Sequence, residues 1–481
     1  MFCIPIKSRL CSNLEWIAIL IHIRKREKNK KTKAPILIQY GYHTHINQKG
    51  AFMLNDTIKL LSLEHLEAFI ERIDVIHNEG IIECHLELKR QSLTCAYCGS
   101  NVMHIHGYKE KRVKHSINTR SMCILHIRYR IQKCPVCFKT RCEEINLTKR
   151  KQRISTYTKV KVLEQLIEPT NTYTDVGKRL SITTQTALNI FDEYVDPSRL
   201  TLPSFICMDE FYLGKRSTHK YACVLMDFEK RKIIEVFDTR HKYPLTEHLL
   251  HIPLSERMQV KAVIIDMWES YKQVINRCFP NAMIAVDSFH VIWHMNEAIK
   301  AIRIRVAHKY KLDVSHLEHN DMYYYMLKKF HFFFIVDFEK LADRYKIPKL
   351  NTYFSKTHLM QYLLSIDEEL KAAYLLKENY REFNKTADYE TCEERLNVLI
   401  GQFKHSKSKE MRTVSKMLKH WQVEIKNSFV RVGKRRLSNG PIENMNSQIK
   451  TIIKTSNGYK DFRRLRNRIL YSLNKDTPIK G

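Results

Sequence analysis

The chain has 481 residues, 82 of them Lys or Arg against 51 Asp or Glu, a formal net charge of +31. An excess of this size draws polyanions through counterion release, which puts nucleic acid first among partner classes, while 44% hydrophobic residues exclude a largely disordered chain. The longest apolar run, "WIAILIHI" (Trp16 to Ile23), is far short of the roughly 20 residues a membrane-spanning helix needs, so no membrane partner is expected. The 13 cysteines are odd in number, mostly scattered and follow no cleavable signal, which suits a reducing cytoplasm better than secretion.

Residues 1–52 are a basic extension, "RKREKNKKTK" and then "YGYHTHINQKG", without the pattern of a folded unit. Met53 opens a cleaner stretch and is a candidate native start, with a disordered extension as the equal alternative. From 53 to 150 the expectation is a zinc-binding domain. Strand-like pieces surround "CAYC" (Cys95, Cys98) and "CPVC" (Cys134, Cys137), with 35 residues between the pairs. Each C-x-x-C can form a knuckle presenting two thiolates to one tetrahedral zinc, and a hairpin between the pairs would close the site. His104, His106, Cys123 and Cys142 are nearby substitutes that read as ordinary residues. Four protein ligands leave no open position, so the role expected of the ion is structural.

From 151 to 200 the pattern turns helical. "TYTDVGKRLSITTQTALNIFDEY", Thr172 to Tyr194, reads as a helix-turn-helix with its turn at Ser181 to Thr183. Val176, Leu180, Ala187, Leu188 and Phe191 can bury one face, while Thr183, Thr184 and Gln185 cap and expose the start of the second helix, where base edges would be read. A plain helical hairpin is the competing reading, and Ser181 stands where a turn glycine often occurs.

Between 201 and 310 come "SFICMDEF", "YACVLMDF", "KIIEVFD", "VKAVIID" and "NAMIAVDSF", with helical stretches only after the third, fourth and fifth. Three strands joined by short turns and then strand–helix–strand–helix predict an antiparallel start that continues as parallel crossovers. Asp209 and Asp266 are each expected to end a hydrophobic strand. On neighbouring strands they would project from one sheet edge and could share a divalent cation. Asp227 and Asp238 read as hairpin-end residues; Asp287, followed by His290, is the competitor for a site role.

Residues 311–436 read as helical throughout. In 437–481 the segment "NGPIENMNSQIK" places Pro441 at the first position of a helix and Glu443 at the third, where the helix dipole favours an ionised carboxylate. Ile442, Met445, Ile449 and Ile452 form a stripe that could dock this helix on the sheet. Lys450 and Lys454, with Arg463 and Arg464 of the basic tail "YKDFRRLRNR", are candidate phosphate contacts, with Phe462, Leu465 and Ile469 turned inward; a merely solvated basic helix is an equal reading of the tail. Three convergent carboxylates suit two-metal phosphodiester chemistry, with ions roughly 3.5–4 Å apart.

The stretches "MDEFYLGK", "IIDMWESY", "VDSFHVIWHMNEAI", "AAYLLKENYREF" and "SNGPIENMNSQIKTIIKTSNGYKDFRRLRNRIL", preceded by the cysteine knuckles and the helix-turn-helix, together resemble the ISL3 family of insertion-sequence transposases, over about residues 53–474. The resemblance implies a multidomain α/β protein whose ribonuclease-H-like catalytic core (201–310 and 437–481) is interrupted by an all-helical insertion (311–436). It implies a catalytic triad at Asp209, Asp266 and Glu443 holding Mg2+ or Mn2+, beside the structural Zn2+. The implied partners are double-stranded DNA, at element ends and at the target, and further copies of the chain in a homodimer or higher oligomer. The implied compartment is the bacterial cytosol, at the nucleoid. In the family the glutamate is often followed by glycine; here Asn444 stands in that place. Two rivals stay open: a DNA-binding regulator with an inactive catalytic fold, and a nuclease of the same fold that cuts without joining.

Overall fold

The computed structural model describes residues 57–480, apart from 60, 65–68, 79, 118–121, 150, 215–218 and 313–316. The basic extension, 1–52, lies outside the described residues. Two compact units are present, one running to Val113 and including Cys123–Ile145, the other made of Lys114–Met122 and Asn146 onward.

The first unit is a sheet of β1 (Ile70–Asn78), β2 (Ile81–Leu88), β3 (His104–His115), β4 (Met122–Lys133) and β5 (Thr140–Cys142). The order is β1-β2-β4-β3, with β5 paired to β4. Period-two alternation makes it one-sided: Ile82, Cys84, Leu86 and Leu88 are buried, and Glu83, His85 and Glu87 between them are half-exposed. The cysteine pairs occupy the turns after β2 and β4.

The second unit opens with α1 (Thr156–Leu166), α2 (Tyr173–Arg179) and α3 (Thr184–Tyr194). Val162, Leu166, Val176, Ala187 and Phe191 are fully buried between them and Leu180 nearly so, with Leu188 half-buried against this core. A capping box, Thr172 with Asp175, starts α2, and the Thr183 hydroxyl accepts from Thr186 N–H to start α3. In the turn between them Ser181 has φ +54°, the left-handed conformation that glycine adopts at least cost. Gly177 is required for a different reason: a Cβ there would lie 2.9 Å from Ile182 O.

Next comes a five-stranded sheet of β6 (Phe205–Tyr212), β7 (Tyr221–Asp227), β8 (Ile233–Phe237), β9 (Ala262–Ile265) and β10 (Met283–Val286), ordered β10-β9-β6-β7-β8. β6, β7 and β8 form an antiparallel meander, and β9 lies parallel to both β6 and β10. This is the meander followed by crossovers that the strand rhythm predicts. The crossovers carry α4 (Lys242–Leu250), α5 (Leu254–Met258) and α6 (Glu269–Cys278); α7 (Ser288–Leu312) leaves β10.

The inserted block contains α8 (Leu317–Lys329), α9 (Lys356–Ser365), α10 (Glu368–Thr386), α11 (Cys392–Lys404), α12 (Lys409–His420) and α13 (Gln422–Asn427). It is not all-helical as expected. β11 (Arg344–Ile347) and β12 (Thr352–Ser355) form an antiparallel hairpin, whose connection holds Pro348 and a left-handed Asn351, residues that punctuate a helix. A second small hairpin, β13 (Arg431–Val432) with β14 (Arg435–Arg436), leads back to α14 (Gly440–Thr455) and α15 (Phe462–Leu473). One face of the sheet, through Ile206, Met208, Cys223, Val263 and Val286, packs on the core shared with the crossover and inserted helices. The other, through Cys207, Val224, Ala262, Ile264 and Ala285, packs on Ile442, Ile449 and Ile452 of α14 and Leu465 and Ile469 of α15.

Candidate active site

Strand register places the acids. β6 and β9 pair as Phe205↔Ala262, Ile206↔Val263 and Cys207↔Ile264, and the same offset sets Asp209 across from Asp266. β9 and β10 pair up to Ile265↔Val286, and the next step sets Asp266 beside Asp287. The three carboxylates therefore form one row across neighbouring strands, and by parity with Cys207, Ile264 and Ala285 that row lies on the face covered by α14. Asp209 is not at the end of its strand, as expected, but inside β6, which continues to Tyr212 in pairing with β7 after β9 has stopped. The adjacent Glu210 turns to the opposite face. It pairs there with Arg240, whose guanidinium lies over Tyr221 and Trp268, and accepts from Tyr271 OH at 3.3 Å.

Two asparagines that sequence reading missed tie α14 to this row. Asn446 Nδ2 donates to Asp209 Oδ2 at 2.6 Å. Asn439 Nδ2 donates to Asp266 Oδ1 at 3.1 Å and its backbone N–H to Asp287 Oδ2 at 2.8 Å. Asn439 is the N-cap residue of α14, yet its side chain makes no capping bond; its Nδ2 is turned to Asp266 instead. An Asn directly before Gly–Pro at a helix start was the available signal, but it reads as a cap. His290, also passed over, places Nε2 3.0 Å from Asp266 Oδ2. The second oxygen of Asp287 accepts from Phe289 N–H at 2.9 Å, so both its oxygens are held by backbone donors.

Helix α14 begins at Gly440, one residue earlier than expected, which makes Pro441 its second residue and Glu443 its fourth. Ile442, Ile449 and Ile452 are buried and Met445 half-buried, the stripe expected of this helix, and Glu443 is exposed beside it. Electrostatics at Glu443 run opposite to the helix-dipole expectation: burial, then the charges of Asp287 and Asp266, raise its carboxyl above the ordinary range. Burial and the charge of Asp266 push Asp209 up to about 7. At His290 burial lowers the pKa, but the hydrogen bond and charge of Asp266 outweigh it and the net direction is up.

Among the described residues, no three of Asp209, Asp266, Asp287, His290 and Glu443 bring ligand atoms within 4.8 Å of one another. The donor chemistry nevertheless fits a hard divalent cation, since oxygen ligands dominate. Asn439 Oδ1 and Asn446 Oδ1 are buried there without a hydrogen-bond partner, and a cation or its waters would satisfy them.

In the first unit, the Sγ atoms of Cys95, Cys98, Cys134 and Cys137 all lie within 4.8 Å of one another. Cys95 to Cys137 is 3.4 Å and Cys98 to Cys134 3.5 Å, against about 3.8 Å for a tetrahedron with Zn–S bonds near 2.3 Å. The knuckles are built alike: Gly99 N–H donates to Cys95 O and Phe138 N–H to Cys134 O, with Gly99 and Phe138 both at positive φ. Backbone N–H groups of Cys98 and Tyr97 hold the Cys95 thiol down to about 6. The cluster is compatible with a structural zinc, and His104, His106, Cys123 and Cys142 are not part of it.

Of the expected DNA contacts, Thr183 and Gln185 are exposed and Thr184 half-exposed at the start of α3. Lys450 and Lys454 are exposed on α14, lining a cleft with Tyr212, Tyr459 and Lys460. Arg463 pairs with Asp196 at 2.9 Å, and Arg464 pairs with Asp192 of α3, so much of the charge of that tail is compensated within the fold.

Residues 206–469 match a family model described as a transposase, the DDE type of the ISL3 group; the match includes Asp209, Asp266, Asp287 and Glu443 and neither the cysteine cluster nor α2 and α3. Over 252 residues the chain is 25% identical to the transposase for insertion sequence element IS1001 of Bordetella parapertussis, which covers 51% of this chain and 61% of that protein.

Proposed function

Because the chain belongs to the ISL3 family of insertion-sequence transposases, we propose that it is a DNA transposase with Asp209, Asp266 and Glu443 as its catalytic triad on a ribonuclease-H-like core. The observation that carries this reading is the cross-strand alignment of Asp209 with Asp266 under a helix that bears Glu443 and is tied to both by Asn446 and Asn439. Asp287 is a positioning residue: with each oxygen taken by a backbone N–H, it anchors the first turn of α14.

Mg2+ or Mn2+ held by Asp209, Asp266 and Glu443 would supply Lewis-acid stabilisation of the phosphodiester and a more acidic attacking water or hydroxyl. Asp209, protonated more readily than an ordinary carboxyl, would hold a cation only in its deprotonated form. His290 orients Asp266, and the two asparagine amides fix the carboxylate rotamers. Lys450 and Lys454, two and three turns along α14 from Glu443, hold backbone phosphates. Thr183, Thr184 and Gln185 at the start of α3 read the terminal inverted repeats, with the zinc-binding unit as a second contact. Hydrolysis at an element end frees a 3′-hydroxyl, which attacks a phosphodiester of target DNA in the same site and displaces that strand's 3′-oxygen. Bringing two ends together requires at least a dimer.

Incubation with end-sequence double-stranded DNA and Mg2+ tests the reading. Joined products are expected; cleavage without joining would make the protein a nuclease, and binding alone a regulator. Asp209→Asn, Asp266→Asn and Glu443→Gln should each abolish both steps while leaving DNA binding, and retained cleavage in any of them sinks that residue's assignment.

A further inference from the structure

A second constellation of metal-ligating side chains lies on the half-exposed face of the first unit's sheet. Glu83 and His85 of β2 and His126 of β4 bring ligand atoms within 4.8 Å of one another. Alternation along β2 turns Glu83 and His85 to the same side, away from the buried Cys84 and Leu86. The imidazoles of His85 and His126 are stacked, centroids 4.5 Å apart and planes 14° from parallel.

The hydrogen bonding of His126 defines its tautomer. Nδ1 lies 2.8 Å from Glu110 Oε1 of β3, and an ionised carboxylate only accepts, so Nδ1 carries the proton. Nε2 is buried without a hydrogen-bond partner and faces Glu83 Oε1 at 3.8 Å. At 3.8 Å the two atoms are beyond a hydrogen bond, and a cation between them would satisfy both. A carboxylate behind the far nitrogen is the usual support of a metal-bound histidine. Arg112 lies 3.9 Å from Glu83, but it is an exposed, loose partner of little strength.

We propose that Glu83, His85 and His126 bind a divalent transition-metal ion, with Glu110 orienting His126. Two imidazoles and a carboxylate match zinc among the common ions. The site clips β2 to β4, and its three protein ligands leave a position open to water, unlike the closed four-thiolate cluster.

The test uses the full chain, equilibrated with zinc in excess Mg2+ so that the acidic row is occupied, and counts zinc per chain. Two ions are expected for the native protein and one for His85→Ala with His126→Ala, whose cobalt-loaded form should keep the sulfur-to-metal charge-transfer band of the thiolate cluster. One ion in both proteins, or two in both, overturns the site. Glu110→Gln should weaken the second ion's binding about 10–100-fold at unchanged stoichiometry. Should the double variant fail to fold, cobalt titration of the native chain decides: a second equivalent adding ligand-field bands without further charge-transfer intensity supports the site, and its absence refutes it.

Discussion

Asp209 sits 9% exposed in a row of like charges, and its carboxyl titrates at about 7 because burial and Asp266 both disfavour the anion. A carboxyl raised from 3.8 binds its proton more tightly folded than unfolded. Its contribution to stability is therefore complete below the ordinary carboxylate range and is lost as pH rises through about 7. The metal-free protein should show a melting temperature that falls across this interval. Asp209→Asn should remove the largest part of that fall. Glu443 and His290, also raised, leave a smaller decline of the same sign. Addition of Mg2+ should flatten the native profile, with cation affinity rising up to about pH 7 as the competing proton leaves; a native profile independent of pH in the absence of metal would contradict this electrostatic picture. Asp287 was as plausible an acid as Asp266 in the sequence, since both follow apolar strands. In the structure they differ in their donors: backbone N–H groups 2 and 152 residues away hold both oxygens of Asp287, whereas the side chains of Asn439 and His290 meet those of Asp266.

At the scale of elements, α2 and α3 are joined by a turn that contains one strained residue and one close approach. Ser181→Gly should stabilise the three-helix assembly by up to about 1 kcal/mol, since glycine carries no Cβ penalty at φ +54°. Gly177→Ala should cost roughly 1–3 kcal/mol, because the new Cβ meets backbone at Ile182 and has nowhere to go. Opposite signs in denaturant midpoints are the expected result, and equal signs would refute the turn geometry. Helix α15 joins two cores. Leu465 and Ile469 face the sheet, while Tyr471 packs among the buried residues of α1–α3 and Arg468, almost fully buried, donates to Glu168 O and Asn171 O at 2.9 Å each. Arg468→Ala leaves those acceptors without their donor and should cost on the order of 2–4 kcal/mol, seen as earlier unfolding of the three helices in hydrogen exchange.

For the whole molecule, a net charge of +31 favours polyanionic partners, but the charges are not equivalent. Lys450 and Lys454 are exposed on α14, whereas Arg463, Arg464 and Arg466 pair with Asp196, Asp192 and Glu235. In a plot of log binding constant against log salt, Lys450→Ala should reduce the slope by roughly 1. Arg464→Ala should leave the slope nearly unchanged and instead loosen α15 from α3. The converse pattern would return Arg464 to the DNA contacts. Among the described residues no helix is long and apolar enough to cross a membrane, in keeping with the absence of such a run in the sequence.

The sequence by itself determined what depends on short spacings. Apolar periods of two and of 3.6 specify strands and helices, C-x-x-C specifies a knuckle, and the polar stretch Thr183 to Gln185 specifies a helix start. The strand rhythm also carried the meander and crossovers, because connection length limits how neighbouring strands can pair. Only the tertiary structure decided which polar groups are already engaged. Asn446 meets Asp209 across 237 residues of chain, Asn439 meets Asp266 across 173, and Arg464 meets Asp192 across 272. The inserted block sits between the partners in all three cases, and no local pattern encodes a hydrogen bond across it. A cap asparagine and a solvated arginine are therefore indistinguishable in the sequence from a carboxylate clamp and an internal ion pair, and packing of α14 and α15 against the sheet is what separates them.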